Sequence, residues 1–510
     1  MKLMSHQTKL GLGIVGVALL LGMMGDGLLR AAPWGLNISL WMSALGIALA
    51  VSIRSRKEGL GGGAWLFAPV IIFSAAFAWH DSIALKLLNL LAILIALALL
   101  MLRAQGGRLV PAEIIEYAGA GIVAAFNVAL GPVLLVFGCI RWKEIFNGQS
   151  ARRSLAIGRG LAISLPLLLL FGGLLMGADA VFSGIVSRVI RVDFLSLLSH
   201  SFMTAFFGWI VAGFLRGTVI GSERNLAAGL HLPSPRLGIV ELGIALGLLD
   251  LLFFSFVLVQ IHYLFGGAPL VGITPGLTYA EYARSGFFEL IAVAALVLPL
   301  LLLAHWLLGK EDPAHERLFR ALAGVQIVLL FVIMASAFQR MRLYESEYGL
   351  TEDRLYPTAF MGWLAVVFIW FAATVLRGHR ERFAFGALIA GFLLIGALQV
   401  LNPDLLVART NTARAAAGRK FDAGYAGSLG ADAVPALVSA LPALSPHDRC
   451  IVAKRVLADW TPPSQPDWRT WSWSRMLAWR SVSANRETLR QAAGLQHKEP
   501  EGPKPCAELQ

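Results

Sequence analysis

Long apolar runs recur along the chain from Leu10 to Val400, separated by shorter polar or glycine-rich segments. Each run has the length of about 20 residues that an α-helix needs to cross the ~30 Å hydrocarbon core of a bilayer. After residue 401 the apolar residues instead follow a period near four. The pattern predicts an all-α polytopic transmembrane helix bundle followed by a small helical extramembrane domain. The predicted spans cover 10–29, 33–53, 64–80, 83–102, 157–178, 199–216, 237–264, 287–308, 319–339, 357–376 and 383–400.

A further apolar stretch at 113–140 contains Glu113, Glu116 and Asn127 and is rich in glycine. If this stretch does not cross the membrane, most of the Lys and Arg residues of the loops fall on the same side as the N-terminus. If it crosses, the strongest basic clusters face the opposite side. Lys and Arg accumulate in the cytoplasmic loops of membrane proteins. We therefore expect eleven crossings and an interfacial or re-entrant helix at 113–140, with both of its ends in the cytoplasm.

The composition points to the same class of protein. Of the 510 residues, 57% are hydrophobic and 15% are charged, and the mean hydropathy is +0.69, which excludes an ordinary soluble globule. The net charge of +12 does not indicate nucleic-acid binding, because basic loops are expected in a multispanning protein. The cysteines Cys139, Cys450 and Cys506 are too few and too scattered for a metal or redox motif.

The spans and loops divide the chain into five parts. Because the number of crossings is odd, the N-terminus is expected in the cytoplasm, and the C-terminal tail in the periplasm or outside the cell. Cys450 and Cys506 would share that oxidising compartment, where they could pair or remain free thiols. The parts are a four-span region at 1–112, an interfacial helix with a basic loop at 113–156, a seven-span core at 157–400, a helical external domain at 401–493 and a disordered tail at 494–510.

The segment 467–491 is rich in Trp and Arg. In a continuous helix, Trp468, Trp471, Arg475 and Trp479 share one stripe. Trp and Arg together suit the headgroup zone of a membrane, so this helix could lie on the bilayer surface. Packing of the same indoles inside the tail domain is the alternative.

Six motifs resemble, in the same order, those of a bacterial family of multispanning membrane proteins that is catalogued only as a domain of unknown function. The resemblance covers roughly residues 155–480 and implies the architecture but no activity. The motifs are LDLLFFSFVLVQIHYLFGG at 249–267, TYAEYARSGFFEL at 278–290, RMRLYESEYGLTEDRLY at 340–356, NPDLLVARTN at 402–411, DAVPAL at 432–437 and DWRTWSWSR at 467–475.

Four of these motifs supply charged and aromatic residues to the predicted outer face. Arginines there could hold a phosphate or carboxylate group, and a glutamate could act as a base. The alternative is an ion-pair network that fastens the tail domain to the helix ends. The candidates for this outer-face pocket are Tyr279, Glu281, Tyr282, Arg284, Glu289, Arg340, Arg342, Tyr344, Tyr348, Arg354, Tyr356, Asn402, Asp404, Arg409 and Asn411.

Polar residues also occur inside the predicted spans. The seventh span places Asp250 near mid-depth, and Gln260 and His262 near its outer end. A carboxylate at the centre of a span costs ~2.5–3.5 kcal/mol on insertion scales, so Asp250 is expected to face the bundle interior and is a functional candidate. A hydrogen-bonded carboxyl that joins two helices is the alternative.

Sequence motifs do not identify a reaction. There is no phosphate-binding loop, HExxH zinc motif, CxxC pair or GxSxG elbow, so neither a cofactor nor a metal site is predicted. We expect a multi-pass protein of the bacterial inner membrane that handles or senses a lipid or anionic small molecule at the outer face. The alternatives are a membrane enzyme acting on an envelope precursor, and a non-catalytic sensor or assembly protein. The expected partners are the bilayer, such a ligand and an envelope protein.

Overall fold

The structure is a computed structural model whose long elements are α-helices. It describes residues 5–54, 61–110, 114–145, 149–179, 182, 184, 194–221, 238–271, 286–308, 313–495 and 506. The first thirteen helices are α1 (His6–Leu29), α2 (Leu36–Arg54), α3 (Phe67–Trp79), α4 (Ile83–Ala104), α5 (Ile114–Leu134), α6 (Trp142–Ile145), α7 (Gln149–Ala178), α8 (Phe194–Val219), α9 (Ile239–Val271), α10 (Phe287–Leu307), α11 (Pro313–Tyr348), α12 (Glu352–Thr374) and α13 (Phe383–Leu401). The tail adds α14 (Pro403–Ala416), α15 (Ala423–Gly427), α16 (Val434–Ala440), α17 (Pro446–Trp460), α18 (Trp473–Ala484) and α19 (Arg486–Ala492).

Eleven helices among the described residues are long and apolar enough to cross a membrane, which confirms the predicted fold class. Ten of them coincide with predicted spans, and the eleventh is Ile114–Cys139. The predicted span 157–178 lies within α7, most of whose side chains are outside the described residues. Length and composition do not distinguish a crossing helix from an interfacial one, so the interfacial placement of 113–140 stays a prediction.

The chain forms two compact units. Unit 1 comprises Met1–Phe67, Leu97–Gly107 and Gly119–Ala227, and unit 2 comprises Ala68–Ala96, Arg108–Ala118 and Ala228–Gln510. Unit 2 therefore contains the whole tail domain.

Glycine brings α1 and α8 of unit 1 into close antiparallel contact. A Cβ atom on Gly22 would lie 2.4 Å from the carbonyl oxygen of Thr204 and 3.1 Å from the Cα atom of Gly208. Nearer the C-terminal end of α1, Asp26 Oδ2 lies 2.5 Å from His200 Nδ1. Small residues at a helix contact let two backbones approach closely, which is how helices commonly associate in a bilayer.

The end of α5 and the π turn after it, Leu135–Cys139, lie across one end of this helix pair. A Cβ atom on Gly131 would lie 2.9 Å from the Cα atom of Gly213 on α8, and one on Gly11 of α1 would lie 2.8 Å from Ile140. Gly11 and Gly213 are both at the end of the pair away from Asp26. Residues 131–140 therefore contact both helices of the pair near that end.

In unit 2, helices α9 to α13 share a core of large apolar side chains. Its fully buried phenylalanines include Phe287, Phe319, Phe368 and Phe371. Helices α9 and α11 run side by side in the same direction and are joined near their C-terminal ends by Gln260. Its Oε1 atom accepts hydrogen bonds from Ser336 Oγ at 2.9 Å and Arg340 Nη2 at 2.7 Å. A polar side chain inside the bundle is thus satisfied by its neighbours, as the absence of water requires.

The tail domain has a separate core built largely from small side chains. Alanine and valine dominate it, with Leu437 and Leu489 among the larger members. Side-chain caps start four of its helices: Asn402, Asp422, Ser445 and Ser472 each accept a hydrogen bond from the backbone N–H three residues ahead. Such caps stabilise short helices by about 0.5–2 kcal/mol each, which matters because the longest helix of the tail has 15 residues.

A disulfide joins Cys450 to Cys506, with 5.8 Å between the Cα atoms. Among the cysteines, Cys139 remains a free thiol. The structure thus favours pairing over the two free thiols that the sequence left open. Most of the predicted disordered tail at 494–510 lies outside the described residues.

The close contact at Gly22 predicts that two Gly→Ala substitutions on α1 differ in their effect on thermal stability. Gly22→Ala places a Cβ atom against the backbone of α8 and should lower the thermal stability of the detergent-solubilised protein, since overpacking costs typically ~1–3 kcal/mol. Gly16→Ala is the matched control, because nothing lies within 4 Å of its added Cβ atom. Equal melting temperatures for the two variants in a size-exclusion stability assay would contradict the packing described.

The disulfide predicts the thiol content of the protein isolated from membranes. Because disulfides persist in oxidising compartments, denaturation without reductant should expose one titratable thiol, Cys139, and reduction should expose Cys450 and Cys506 as well. Alkylation followed by mass spectrometry measures this directly, and Cys506→Ser provides the control. Full alkylation of all three cysteines before reduction would show that the tail lies in a reducing compartment.

Candidate functional site

A short polar turn between α3 and α4 forms the base of the site. Helix α3 ends at Trp79 and α4 begins at Ile83, leaving only His80, Asp81 and Ser82 between them. All three residues lie where the tail domain covers the helix ends, and the His80 and Ser82 side chains are buried. Their polar groups therefore need partners from the protein.

Asp432, in the 3₁₀ turn before α16, supplies the main partner. Its Oδ1 atom lies 2.6 Å from His80 Nδ1, 2.9 Å from Asn402 Nδ2 and 2.5 Å from Ser474 Oγ, and its Oδ2 atom accepts the Asp81 N–H at 3.0 Å. Burial alone would raise the pKa of Asp432, but the hydrogen bonds from His80, Ser474 and the Asp81 backbone hold that pKa below its usual range. Asp432 is thus a buried carboxylate with four donors.

A second buried carboxylate, Asp81, binds two cations. Arg475 Nη2 lies 2.6 and 2.7 Å from the two carboxylate oxygens, and Lys86 Nζ contacts Oδ1. The Arg475 residue is only 4% exposed. Removing one partner of a buried ion pair costs about 3–5 kcal/mol, because the other charge stays buried. This pair therefore holds α18 of the tail on the α3–α4 turn.

The chain enters the tail at Asn402, which links the site to α13. Asn402 has a φ of 51°, accepts the Leu405 N–H as the cap of α14 at 3.3 Å and donates to Asp432. Pro403 follows at the first helical position, where its missing N–H costs nothing. We call the set of His80, Asp81, Lys86, Asn402, Asp432, Ser474 and Arg475 the tail anchor.

Two carboxyl groups, Glu352 and Asp404, lie together beside the tail anchor. Asp404 is 2% exposed and accepts the Gly430 N–H at 3.0 Å through Oδ2. Burial, followed by the charges of Glu352 and Asp432, raises the pKa of Asp404 to about 8. The neutral form of the Asp404 carboxyl is thus favoured beside the Glu352 side chain, with which it is hydrogen-bonded, and the Glu352 backbone N–H donates to Tyr425 Oη at 2.8 Å.

An exposed row of indoles adjoins the tail anchor. Ser474 Oγ lies 2.8 Å from the carbonyl oxygen of Trp79, so the segment before α18 lies at the end of α3. The side chains of Trp79, Trp468, Trp471 and Trp473 are 47%, 61%, 37% and 46% exposed. We call these four residues the tryptophan edge.

The predicted helical stripe of Trp468, Trp471, Arg475 and Trp479 is wrong. Helix α18 begins only at Trp473, after an extended residue at Ser472 whose hydroxyl caps the helix. Trp468 and Trp471 therefore precede the helix, and Arg475 points into the tail anchor instead of toward a membrane surface.

The structure describes eleven of the fifteen residues predicted for the outer-face pocket, and the pocket stays a prediction. Tyr279, Glu281, Tyr282 and Arg284 lie outside the described residues. Glu289 is exposed in the first turn of α10, and Arg409 is exposed on α14.

The other predicted pocket residues mostly make contacts within the protein. Arg354 lies 4.1 Å above the Tyr344 ring, whose centroid is 5.0 Å from that of Tyr348. Asn411 binds both backbone groups of Leu350, at 2.8 and 2.7 Å. Arg340 is bound to Gln260, and Arg342 lies 5.9 Å from the Phe338 ring. The hydroxyl of Tyr356 faces Ser82, and Asn402 and Asp404 are described above.

The three predicted intramembrane residues have different surroundings. Gln260 is satisfied by Ser336 and Arg340, as described above. Asp250 is buried, and neither of its carboxylate oxygens has a hydrogen-bond partner in the part of the chain that the structure describes. His262 lies in α9, but its side chain is outside the described residues.

Most residues of the tail anchor were not predicted from the sequence as functional candidates. His80, Asp81, Asp432 and Ser474 were not candidates, although Asp432 and Ser474 lie in the quoted motifs DAVPAL and DWRTWSWSR. The available signal was the WHDS sequence at 79–82, a polar turn too short to extend far from the helix ends. Its partners are about 350 and 395 residues away, and nothing in the local pattern specifies that pairing.

The raised pKa of Asp404 predicts that the stability of the folded tail domain depends on pH. A carboxyl with a folded-state pKa near 8 and an unfolded value near 3.8 stabilises the fold fully below pH 3.8, and this contribution is lost as the pH rises to about 8. The tail of the native protein should therefore resist protease better at pH 6 than at pH 9. Asp404→Asn, which stays neutral, should reduce this difference; an equal pH effect in both proteins would contradict the assignment.

Comparison with known proteins gives one match. A family described as a domain of unknown function, DUF4153, matches residues 67–440, which include α3 to α16 and every anchor residue except Ser474 and Arg475. Neither the curated proteins nor the solved structures give a match. The match spans well over half of the chain, and the chain therefore belongs to the DUF4153 family of unknown function.

Proposed function

We propose that this protein is a lipid-binding protein of the bacterial inner membrane, in which the external tail domain handles or senses a lipid at the outer face. The observation that carries the proposal is the tryptophan edge at the end of α3. The proposal includes the topology expected from the distribution of Lys and Arg, with the tail outside.

Indole rings suit the membrane boundary, because they combine a large apolar face with one N–H donor. Tryptophan is enriched at both bilayer interfaces for this reason. The tryptophan edge adjoins the end of the apolar helix Gly62–Trp79, so its four rings would lie at the level of the lipid head groups. A group of exposed aromatic side chains in one place also marks a binding surface more often than a solvated one.

The tail anchor supports the proposal by fixing the position of this surface. Arg475 follows Trp473 by two residues and is held by Asp81, while Trp79 directly precedes His80. The Trp79 ring also stacks on the His80 ring, with centroids 4.6 Å apart. The indoles thus belong to segments that are held in place by the buried Arg475–Asp81 ion pair. Their side chains lose little conformational freedom when a lipid binds, which favours affinity for the lipid.

A cavity in unit 2 also has the size of a lipid-binding pocket. In the expected topology it lies toward the cytoplasmic ends of α10 and α13, so it is separate from the tryptophan edge and would bind a lipid of the inner leaflet. The cavity has a volume of about 460 Å³ and is lined by apolar side chains from α5 and α10, by Phe383 and by one cation, Arg380. This volume lies in the range of small-molecule pockets, ~300–1,000 Å³. An apolar wall with a single guanidinium group suits an acyl chain attached to an acidic head group.

The proposal places recognition at the outer face on the indoles rather than on the predicted arginines. Arg340 donates to Gln260, and Arg354 covers the Tyr344 ring. Arg414 Nη1 and Nη2 donate to the carbonyl oxygens of Ser346 and Glu347, at 2.5 and 2.9 Å. These guanidinium groups connect α11 to α9, α12 and α14 through hydrogen bonds and a ring contact. They thus act as structural contacts, as in the alternative of a network that fastens the tail domain, but not as ion pairs.

A non-catalytic sensor or assembly protein is the second candidate, and the tail anchor favours it. The anchor connects the tail rigidly to α3, α4 and α13, so a partner or ligand that displaces the tail would also move the helix ends. In this case the tryptophan edge would bind an envelope protein instead of a lipid.

Substitution of the tryptophan edge tests the proposal. In the variant Trp468→Ser/Trp471→Ser/Trp473→Ser, the detergent-purified protein should retain at least tenfold less of a phospholipid added at limiting concentration. Loss of anchoring aromatic residues typically costs more than ~1 kcal/mol each. Native mass spectrometry with phosphatidylglycerol and phosphatidylethanolamine measures the bound lipid.

The matched control is Trp142→Ser, which removes an exposed indole outside the tryptophan edge. It should leave the added lipid bound. Unchanged lipid binding by the triple variant would overturn the proposal, and capture of a specific envelope protein that depends on the same three indoles would favour the second candidate.

A further inference from the structure

Two buried polar side chains without partners lie on facing helices within unit 2. Asp250 on α9 is 8% exposed, and both of its carboxylate oxygens lack a hydrogen-bond partner among the described residues. Gln326 on α11 is 0% exposed, and within the same part of the chain its Nε2 and Oε1 atoms also lack partners. Unsatisfied buried groups are costly, so such groups in a native structure need an explanation, such as strain, function or an unseen ligand.

The register of the two helices places these side chains at the same depth. Gly243 faces Leu318 near the start of the contact, and Gln260 binds Ser336, which is 76 positions later in the chain. Because α9 and α11 run in the same direction, an offset of about 76 residues brings Asp250 level with Gln326. Neither residue is near a helix end, so neither can reach water along its own helix.

Both residues occupy the buried stripes of their helices. On α9, Asp250 lies between Leu246 and Val257, which belong to the apolar core. On α11, Gln326 lies between Ala323 and Leu330 of the same core. Helical spacing of three, four and seven residues keeps these positions on one face.

Among the residues that the structure describes, no cation on the helices around Asp250 pairs with its carboxyl. On α11 the nearest charged group toward the N-terminus is Arg320, which pairs with Glu316, and toward the C-terminus it is Arg340, which binds Gln260. Glu241 on α9 is exposed, and His305 on α10 lies against Phe319, about two turns before Gln326. An ionised carboxylate in an apolar core without a partner is strongly disfavoured, and taking up a proton removes that cost.

We propose that Asp250 and Gln326 form an intramembrane proton-binding site, in which the Asp250 carboxyl reversibly binds one proton and the Gln326 amide is its polar neighbour. The amide can accept the acid proton through Oε1 or donate to the carboxylate through Nε2, so one side chain serves both states. The site is separate from the tail domain and does not depend on the proposed lipid binding.

Dicyclohexylcarbodiimide provides the test, since it reacts with protonated carboxyl groups in apolar surroundings. In native membranes we expect mass spectrometry to find Asp250 modified, with the yield falling along a one-proton curve as the pH of labelling rises. Gln326→Met preserves the shape of the side chain but removes the amide. Because a hydrogen bond to the charged carboxylate is stronger than one to the neutral acid, this substitution should move the midpoint to higher pH by about one unit, a tenfold change in proton affinity. Asp250→Asn should abolish the modification of that peptide.

Ser255→Ala is the matched control on α9, because Ser255 is exposed and binds only the Leu252 carbonyl oxygen of its own helix. Its midpoint should equal that of the native protein. An unmodified Asp250 at every pH, or a modification independent of pH, would overturn the proposal. A normal midpoint in folded Gln326→Met would exclude Gln326 from the site. The pH dependence of the native protein is decisive even if that variant does not fold.

Discussion

Polar groups of a membrane protein that are shielded from water must find their hydrogen-bond partners inside the protein. The turn between α3 and α4 is too short to extend into solvent, so His80 and Asp81 are covered by the tail domain and bound by Asp432 and Arg475. The need to satisfy this one turn explains why the tail begins at the end of α13 and folds back over the helix ends. The tail anchor is the result.

The small size of the tail domain makes this attachment important. Its helices are short and its core is rich in alanine and valine, which bury little apolar area per residue. Caps and the Cys450–Cys506 disulfide contribute, but the tail also depends on a buried ionic contact with the bundle. The Arg475–Asp81 contact also fixes the position of the proposed lipid surface, because the indoles of the tryptophan edge flank the anchor residues in the sequence.

Inside the bundle, the need of buried polar groups for hydrogen-bond partners distinguishes a structural side chain from a functional candidate. Gln260 receives two donors and joins α9 to α11. Ten residues earlier, Asp250 receives none, although it is as deeply buried. The hydrogen-bonded amide of Gln260 stabilises one arrangement of the helices, whereas the Asp250 carboxyl, which lacks such bonds, lowers the stability of the fold. Reversible proton binding by Asp250 would explain why the protein carries a destabilising residue at this position.

The apolar runs alone determined the helical class, the approximate positions of ten spanning helices and the change of character near residue 401, because the length of an apolar run is set by the bilayer and needs no tertiary information. The exact ends of the helices were not determined in this way: the span predicted at 319–339 is the middle of the helix Pro313–Tyr348. The sequence also marked Asp250, since a central carboxyl is costly in any bundle. Only the tertiary structure brought Asp432, Ser474 and Arg475 to the WHDS turn, and only it placed Gln326 level with Asp250. Those pairings join residues that are distant in the chain, and they depend on helix register and on the return of the tail, which no local pattern of residues encodes.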